Sequence, residues 1–181
     1  MTSILDKIIA NKRLEVERHK KETSINELEK RLSTITTPAS FKEAIKNSRT
    51  GIIAEFKRRS PSRDWIFKDA KIEDVIPLYS QNGASAISVL TDMDFFGGEL
   101  ADLELARSLT KTPLLRKDFV VDEYQLYQAK ISGASAILLI ASALTIDETK
   151  QLAKKAKELN LDVLLEIHNK QELHHINEKG Y

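Results

Sequence analysis

Cysteine is absent from the 181 residues, which excludes disulfides and thiolate metal sites and removes every redox argument. No apolar run approaches the roughly 20 residues that a membrane-spanning helix needs. The N-terminal stretch MTSILDKIIANKRLEVERHKKE carries charge throughout, where a secretory leader would have an apolar centre. An excess of one charge is also missing. Twenty-eight basic and 27 acidic side chains leave a formal net charge of +1, so no global field draws the chain to nucleic acid or to an anionic membrane, and neither is expected as a partner. The expectation is a soluble, cytoplasmic protein that recognises its ligand locally.

What is present suits a packed core, with 41% apolar and 30% charged residues. Ile4, Leu5, Ile8, Ile9 and Leu14 fall at helical spacing, and shorter helical patterns follow over Ile25–Leu32 and Phe41–Lys46. Residues 1–48 therefore read as a helical N-terminal extension. From residue 49 the character changes to short apolar runs at Ile52–Lys57, Ala86–Thr91, Pro113–Phe119, Ala136–Ser142 and Asp162–His168. Amphipathic segments lie between them at Lys71–Asn82, Glu99–Thr110, Asp122–Ser132 and Thr145–Asn160, the last opening with a Thr145/Glu148 capping box. A second box, Asn169/Glu172, predicts a further helix ending near Gly180. Strands joined by helical crossovers are parallel neighbours, so this is a series of βα units. An open doubly wound sheet and a closed (β/α)₈ barrel both fit. The missing G-x-G-x-x-G turn after the first strand lowers the dinucleotide-binding form of the former.

Several strands carry ionisable groups near their C-terminal ends, where buried parallel strands are ordinarily apolar. Glu55 and Lys57 are two apart and share a face; Lys117 shares one with Leu115 and Phe119, while Arg116 and Asp118 share the other; Glu166 shares a face with Leu164 and His168. Charges at such depth need partners, each other or a ligand, because an isolated buried charge costs several kcal/mol or shifts its pKa. Two lysines and two glutamates on one face can supply general acids, a general base and an anion clamp; structural ion pairing is the plainer alternative. The loop Arg58-Arg59-Ser60-Pro61-Ser62-Arg63 has hydroxyls and guanidinium groups suited to a phosphate, or simply to water. Phe95-Phe96-Gly97-Gly98 forms either an apolar lid with glycine hinges or a plain turn. His19, His168, His174 and His175 lack ligand spacing, so no metal site is expected.

The segments IIAEFKRRSPS, VLTDMDFFGGEL, PLLRKDFVVDEYQLYQAKISGASAILLIASAL and LLEIHNKQEL, in that order, resemble the successive signatures of indole-3-glycerol-phosphate synthase. The resemblance implies a (β/α)₈ barrel of the ribulose-phosphate-binding type, with residues 49–181 supplying strands 1 to 5 of it. It implies a lyase of tryptophan biosynthesis that closes the pyrrole ring of 1-(2-carboxyphenylamino)-1-deoxyribulose 5-phosphate, losing carbon dioxide and water, with no cofactor and no metal. By the same motifs Lys117 is expected as general acid and Glu166 as general base or charge stabiliser. Lys57 is expected on the substrate carboxylate and later in dehydration, with Glu55 as its partner. Ser60 is expected at the phosphate, and Phe96 and Phe119 in the aromatic pocket. The sequence departs from the family at Asp64-Trp65, where a glycine commonly follows the second serine of the loop. Family members also continue through three more strands beyond the point matching Tyr181. Because a barrel takes about 250 residues, the 181-residue chain alone is expected to be inactive, with a complementary C-terminal barrel fragment as a possible partner.

Overall fold

Ser3, Ser24 and Ser40 each have an extended backbone and immediately precede a helix. In the computed structural model, which describes residues 3–176, their hydroxyls accept the backbone N–H groups of Asp6, Glu27 and Glu43. Each thereby satisfies one of the donors that a helix start leaves free. The helices are α1 (Ile4–Glu22), α2 (Ile25–Leu32) and α3 (Phe41–Lys46). Their spans match the spacing, but the buried face of α1 differs from expectation. Ile4 and Leu14 are exposed, and the buried stripe runs through Ile8, Lys12 and Val16, at i, i+4 and i+8 on one side of the helix.

Beyond them the chain alternates. Strand β1 (Ile53–Phe56) leads into a small hairpin of β2 (Arg59–Ser60) and β3 (Asp64–Trp65). There follow α4 (Ile72–Gln81), β4 (Ala86–Leu90), α5 (Met93–Phe96), α6 (Leu100–Leu109), β5 (Leu114–Lys117) and α7 (Tyr124–Ile131). The series closes with β6 (Ala136–Ile140), α8 (Ile146–Glu158), β7 (Asp162–Glu166) and a 3₁₀ turn over Gln171–His175.

Strands β1, β4, β5, β6 and β7 form one parallel sheet in that order. One face of it packs Phe56, Ile87, Val89, Leu114, Ile137 and Leu139 against α4, α6, α7 and α8 in a single core. A doubly wound sheet would reverse its strand order at a switch point and carry helices on both faces. Monotonic order with one helical layer is the barrel arrangement, which resolves the choice that periodicity leaves open.

The opposite face holds Ala86, Leu115, Ala136, Leu138 and Ile140, joined by Phe41 and Ile45 of α3. Asp162, the first residue of β7, accepts both the Ser40 hydroxyl at 2.7 Å and the Lys42 N–H at 2.9 Å, which ties α3 to the N-terminal ends of the strands. The C-terminal ends remain open. Along the two outer strands packing is thinner. All of β7 is only half-buried, and Ile52, Ile53 and Ile167 are exposed.

Three local features were not legible in the pattern. The β2/β3 hairpin turns through Asp64 at φ 52°, a left-handed conformation in which glycine is favoured and aspartate tolerated; Asp64 also accepts from Arg59 Nε at 2.7 Å. This accounts for an aspartate close to where the family commonly has glycine. The Phe-Phe-Gly-Gly segment is more than a bare turn, since Met93–Phe96 is helical and Gly97 ends it at φ 65°. Next to it, Gly98 lies so near the Leu90 carbonyl that any Cβ would overlap it. The helix expected after Asn169 is a 3₁₀ turn instead, started by the Asn169 side chain accepting from Glu172 N–H at 3.1 Å; its expected end near Gly180 lies outside the described residues.

Candidate active site

Period-two alternation puts Glu55, Lys117 and Glu166 on the face opposite the helical layer, near the open strand ends, and Lys57 follows β1 on the same parity. The side chains meet in pairs. Lys57 Nζ is 2.7 Å from Glu55 Oε1, and Lys117 Nζ is 3.3 Å from Glu166 Oε2 across the width of β6. Glu166 Oε1 is also 2.9 Å from His168 Nε2. These four charged side chains are 28% to 34% exposed, which leaves them reachable by a ligand.

They line a cavity of about 240 Å³ floored by Leu90, Leu138 and Ile140 and walled by Phe96 and Phe119. The two rings stand 5.8 Å apart between centroids at 39°, within the range of favourable aromatic pairs. Six of the seven residues singled out from the sequence thus surround one cavity. Ser60 does not. Its hydroxyl lies 3.4 Å from that of Ser62 in the hairpin, outside the residues that line the cavity.

Two of the three arginines of the basic loop are already committed. Arg58 makes a bidentate pair with Asp102 at 2.5 and 2.8 Å, and Arg59 pairs with Asp64. A larger hollow of about 910 Å³ lies between residues 34–39 and α6, bordered by Arg31, Arg107 and Lys111; none of the expected site residues borders it. Among the described residues no three carboxylate or imidazole side chains are grouped to hold a metal ion, and no helix is long and apolar enough to cross a membrane.

Behind the cavity lies a buried ionic network that supports it. Asp118 follows Lys117 with its side chain on the other face, where Arg116 Nη2 donates to Oδ2 at 2.9 Å and the Thr91 hydroxyl donates to it at 2.7 Å. Arg116 also donates to the Gln125 carbonyl at 2.8 Å, linking the end of β5 to α7. Lys12 of α1 enters this network fully buried, 3.0 Å from Asp118 Oδ1 and 3.0 Å from Asp92 Oδ2. Burial alone would raise the Asp118 pKa, but Arg116 and Lys12 outweigh it and hold the carboxyl well below the usual range. Burial likewise works against the Lys12 ammonium, and Asp118, Asp92 and Glu15 overcome it and raise its pKa. Sequence reading places Asp118 on the far face but misses Lys12. The available signal was its place between Ile8 and Val16 on one side of α1.

The cavity thus gathers two cations, two carboxylates and an aromatic wall. Over residues 5–180 the chain matches the family of indole-3-glycerol phosphate synthase. It belongs to that family. An indole-3-glycerol phosphate synthase of Bacteroides thetaiotaomicron is 53% identical over 99% of this chain and 69% of its own length. Enzymes of the same name from Prochlorococcus marinus strain AS9601 and from Aliarcobacter butzleri are each 44% identical, over 96% and 94% of this chain. The chain spans 60% and 66% of those two relatives. As in the family, the fold is that of a (β/α)₈ barrel, of which the described residues provide five parallel strands.

Proposed function

We propose that the protein to which this chain belongs is an indole-3-glycerol-phosphate synthase, acting on 1-(2-carboxyphenylamino)-1-deoxyribulose 5-phosphate. The observation that carries the reading is the Lys117–Glu166 pair, 3.3 Å apart in a cavity walled by Phe96 and Phe119, in a chain of this family.

In the first step the aryl carbon that bears the carboxylate forms a bond to the ribulose carbonyl carbon, and the carbonyl oxygen takes a proton from Lys117. Breaking the bond to the carboxylate releases carbon dioxide and returns its electron pair to the ring. The new hydroxyl then departs as water while a proton is lost from the adjacent carbon, with Glu166 as base and Lys57 assisting the departure. Proton transfers of this kind by placed side chains are worth about 10²- to 10⁴-fold in rate. Lys57, before that step, meets the substrate carboxylate, with Glu55 holding its ammonium in place. Phe96 and Phe119 form the wall against which the anilino ring packs. Ser60 is assigned to the substrate phosphate by the family resemblance alone, since its hydroxyl lies in the β2/β3 hairpin, outside the cavity lining.

Removing Lys117 or Glu166 tests the assignment. In the complete protein Lys117→Met and Glu166→Gln should each cut formation of indole-3-glycerol phosphate at least about 100-fold while leaving the circular dichroism spectrum unchanged. Near-normal turnover in either variant removes that residue from the mechanism.

A second reading concerns the 181 residues alone. The outer edges of β1 and β7 have no strand beside them among the described residues, and Ile52, Ile53 and Ile167 are exposed there; unpaired edges of this kind seek partners. We propose that further barrel strands cover them, from the same polypeptide or a complementary fragment, and that residues 1–181 by themselves turn over no substrate. Indole-3-glycerol phosphate produced by the purified 181-residue chain would overturn this.

A further inference from the structure

Lys12 occupies the centre of the stripe by which α1 docks, between Ile8 and Val16, and none of its surface reaches solvent. Docking alone needs no charge there. Apolar side chains of similar volume generally serve a buried contact as well as an ion pair does, or better. What the ammonium adds is a fixed geometry between two segments that are distant in sequence.

Asp92 and Asp118, the carboxylates it joins at 3.0 Å each, are both buried and both grip backbone. Asp92 Oδ1 accepts the Phe95 N–H at 2.9 Å, and the Asp92 carbonyl accepts the Gly98 N–H at 3.0 Å, so Asp92 holds both ends of the short helix that carries Phe96. Asp118 Oδ1 accepts the N–H of Phe119 at 2.8 Å and follows Lys117 directly. Asp92 Oδ2 has no other partner among the described residues, which leaves the Lys12 ammonium at 3.0 Å as its charged neighbour.

We infer that Lys12 is a positioning residue of the catalytic centre: from the N-terminal helix it clamps the segments after β4 and β5 together and so sets Phe96, Lys117 and Phe119 relative to one another. The inference rests on the function proposed above only for its kinetic consequence. The geometric part stands on the contacts alone.

The test uses the complete protein labelled with fluorophenylalanine, with the Phe96 and Phe119 signals assigned by single Phe→Leu replacements. Lys12→Met, Lys12→Arg, Asp92→Asn and Val16→Ala are compared by ¹⁹F spectra, thermal midpoint, kcat and KM. Asparagine retains an N-cap acceptor for α5, so Asp92→Asn removes the charge facing Lys12 without removing the cap. Lys12→Met should shift both resonances and lower kcat on the order of 10- to 100-fold, the scale of a small misplacement of reacting groups. Lys12→Arg should recover part of that loss, and Asp92→Asn should shift the Phe96 signal. Val16→Ala, which loosens the docking of α1 without touching the carboxylates, should lower the midpoint while leaving both signals and kcat in place.

Unshifted resonances in a folded Lys12→Met protein overturn the inference. The same shifts and kcat loss in Val16→Ala also overturn it, because the effect would then belong to helix docking as a whole. Should Lys12→Met not fold, an unshifted Phe96 signal in Asp92→Asn overturns it on its own. A wild-type protein without synthase activity would sink the functional reading, whereas the ¹⁹F shifts would still decide the clamp.

Discussion

Lys117 and Asp118 are neighbours in sequence and are sent to opposite sides of the sheet, one toward the cavity and one into the ionic network behind it. That division follows from strand alternation. It explains why the pairing of residue types was legible in the sequence, whereas the partners of Asp118 were not. Glu55, Lys57, Lys117 and Glu166 could be placed on one face by counting in twos; Lys12 lies 106 positions before Asp118, and no local spacing connects them. Ser60 shows the opposite failure. Its loop was read from composition, and the actual path depends on a hairpin whose turn residue, Asp64, adopts a positive φ that composition does not announce.

A pH prediction belongs at this scale. The folded state holds the Asp118 carboxyl below its ordinary value, so the folded chain binds that proton less readily than the unfolded one. The resulting stabilisation is present in full above about pH 5 and is lost progressively as the pH falls below about 4. Acid unfolding followed by tryptophan fluorescence should therefore move in Asp118→Asn, whose stability should depend less on pH in that window. An Asp118→Asn protein with the wild-type acid profile would contradict the network.

At the scale of elements, the strands and long helices are set by periodicity that survives folding, and their observed ends differ from the expected ones by one or two residues, as at Ile53–Phe56 within Ile52–Lys57. The Thr145/Glu148 capping box is formed as expected, with Glu148 N–H donating to Thr145 Oγ1 at 3.2 Å and Thr145 N–H to Glu148 Oε2 at 2.7 Å. Thr145→Ala should cost about 1 kcal/mol in denaturant unfolding; a loss near zero would mean that the cap is compensated elsewhere in α8. The short helix α5 escaped periodicity because its four residues make only one turn. Its place is fixed by Gly98 under the Leu90 carbonyl. Gly98→Ala should displace α5 and with it Phe96, raising KM as well as lowering the thermal midpoint. An unchanged KM would show that the aromatic wall tolerates the movement.

For the molecule as a whole, strand order and the single helical layer identify a barrel sheet, while the half-buried β7 and the exposed Ile52, Ile53 and Ile167 mark its uncovered margins. Hydrophobic edges of this kind favour association. The 181-residue chain by itself should therefore elute from size exclusion as a self-associated species, and a clean monomer would contradict the reading of those edges. Periodicity alone left two α/β architectures open, and the family resemblance pointed to the barrel that the strand order bears out. Without that resemblance the choice needs knowledge of which face each helix covers, and that is a property of tertiary packing.

The central claim is that the cavity at the strand ends closes an indole ring by means of Lys117 and Glu166. It is tested most directly by incubating the complete protein with 1-(2-carboxyphenylamino)-1-deoxyribulose 5-phosphate and following indole fluorescence, with Lys117→Met beside the wild type. The account expects indole-3-glycerol phosphate and carbon dioxide from the wild type, and a rate lower by about 10²- to 10⁴-fold from a folded Lys117→Met protein. No product from the wild type, or equal rates from the two, would contradict it.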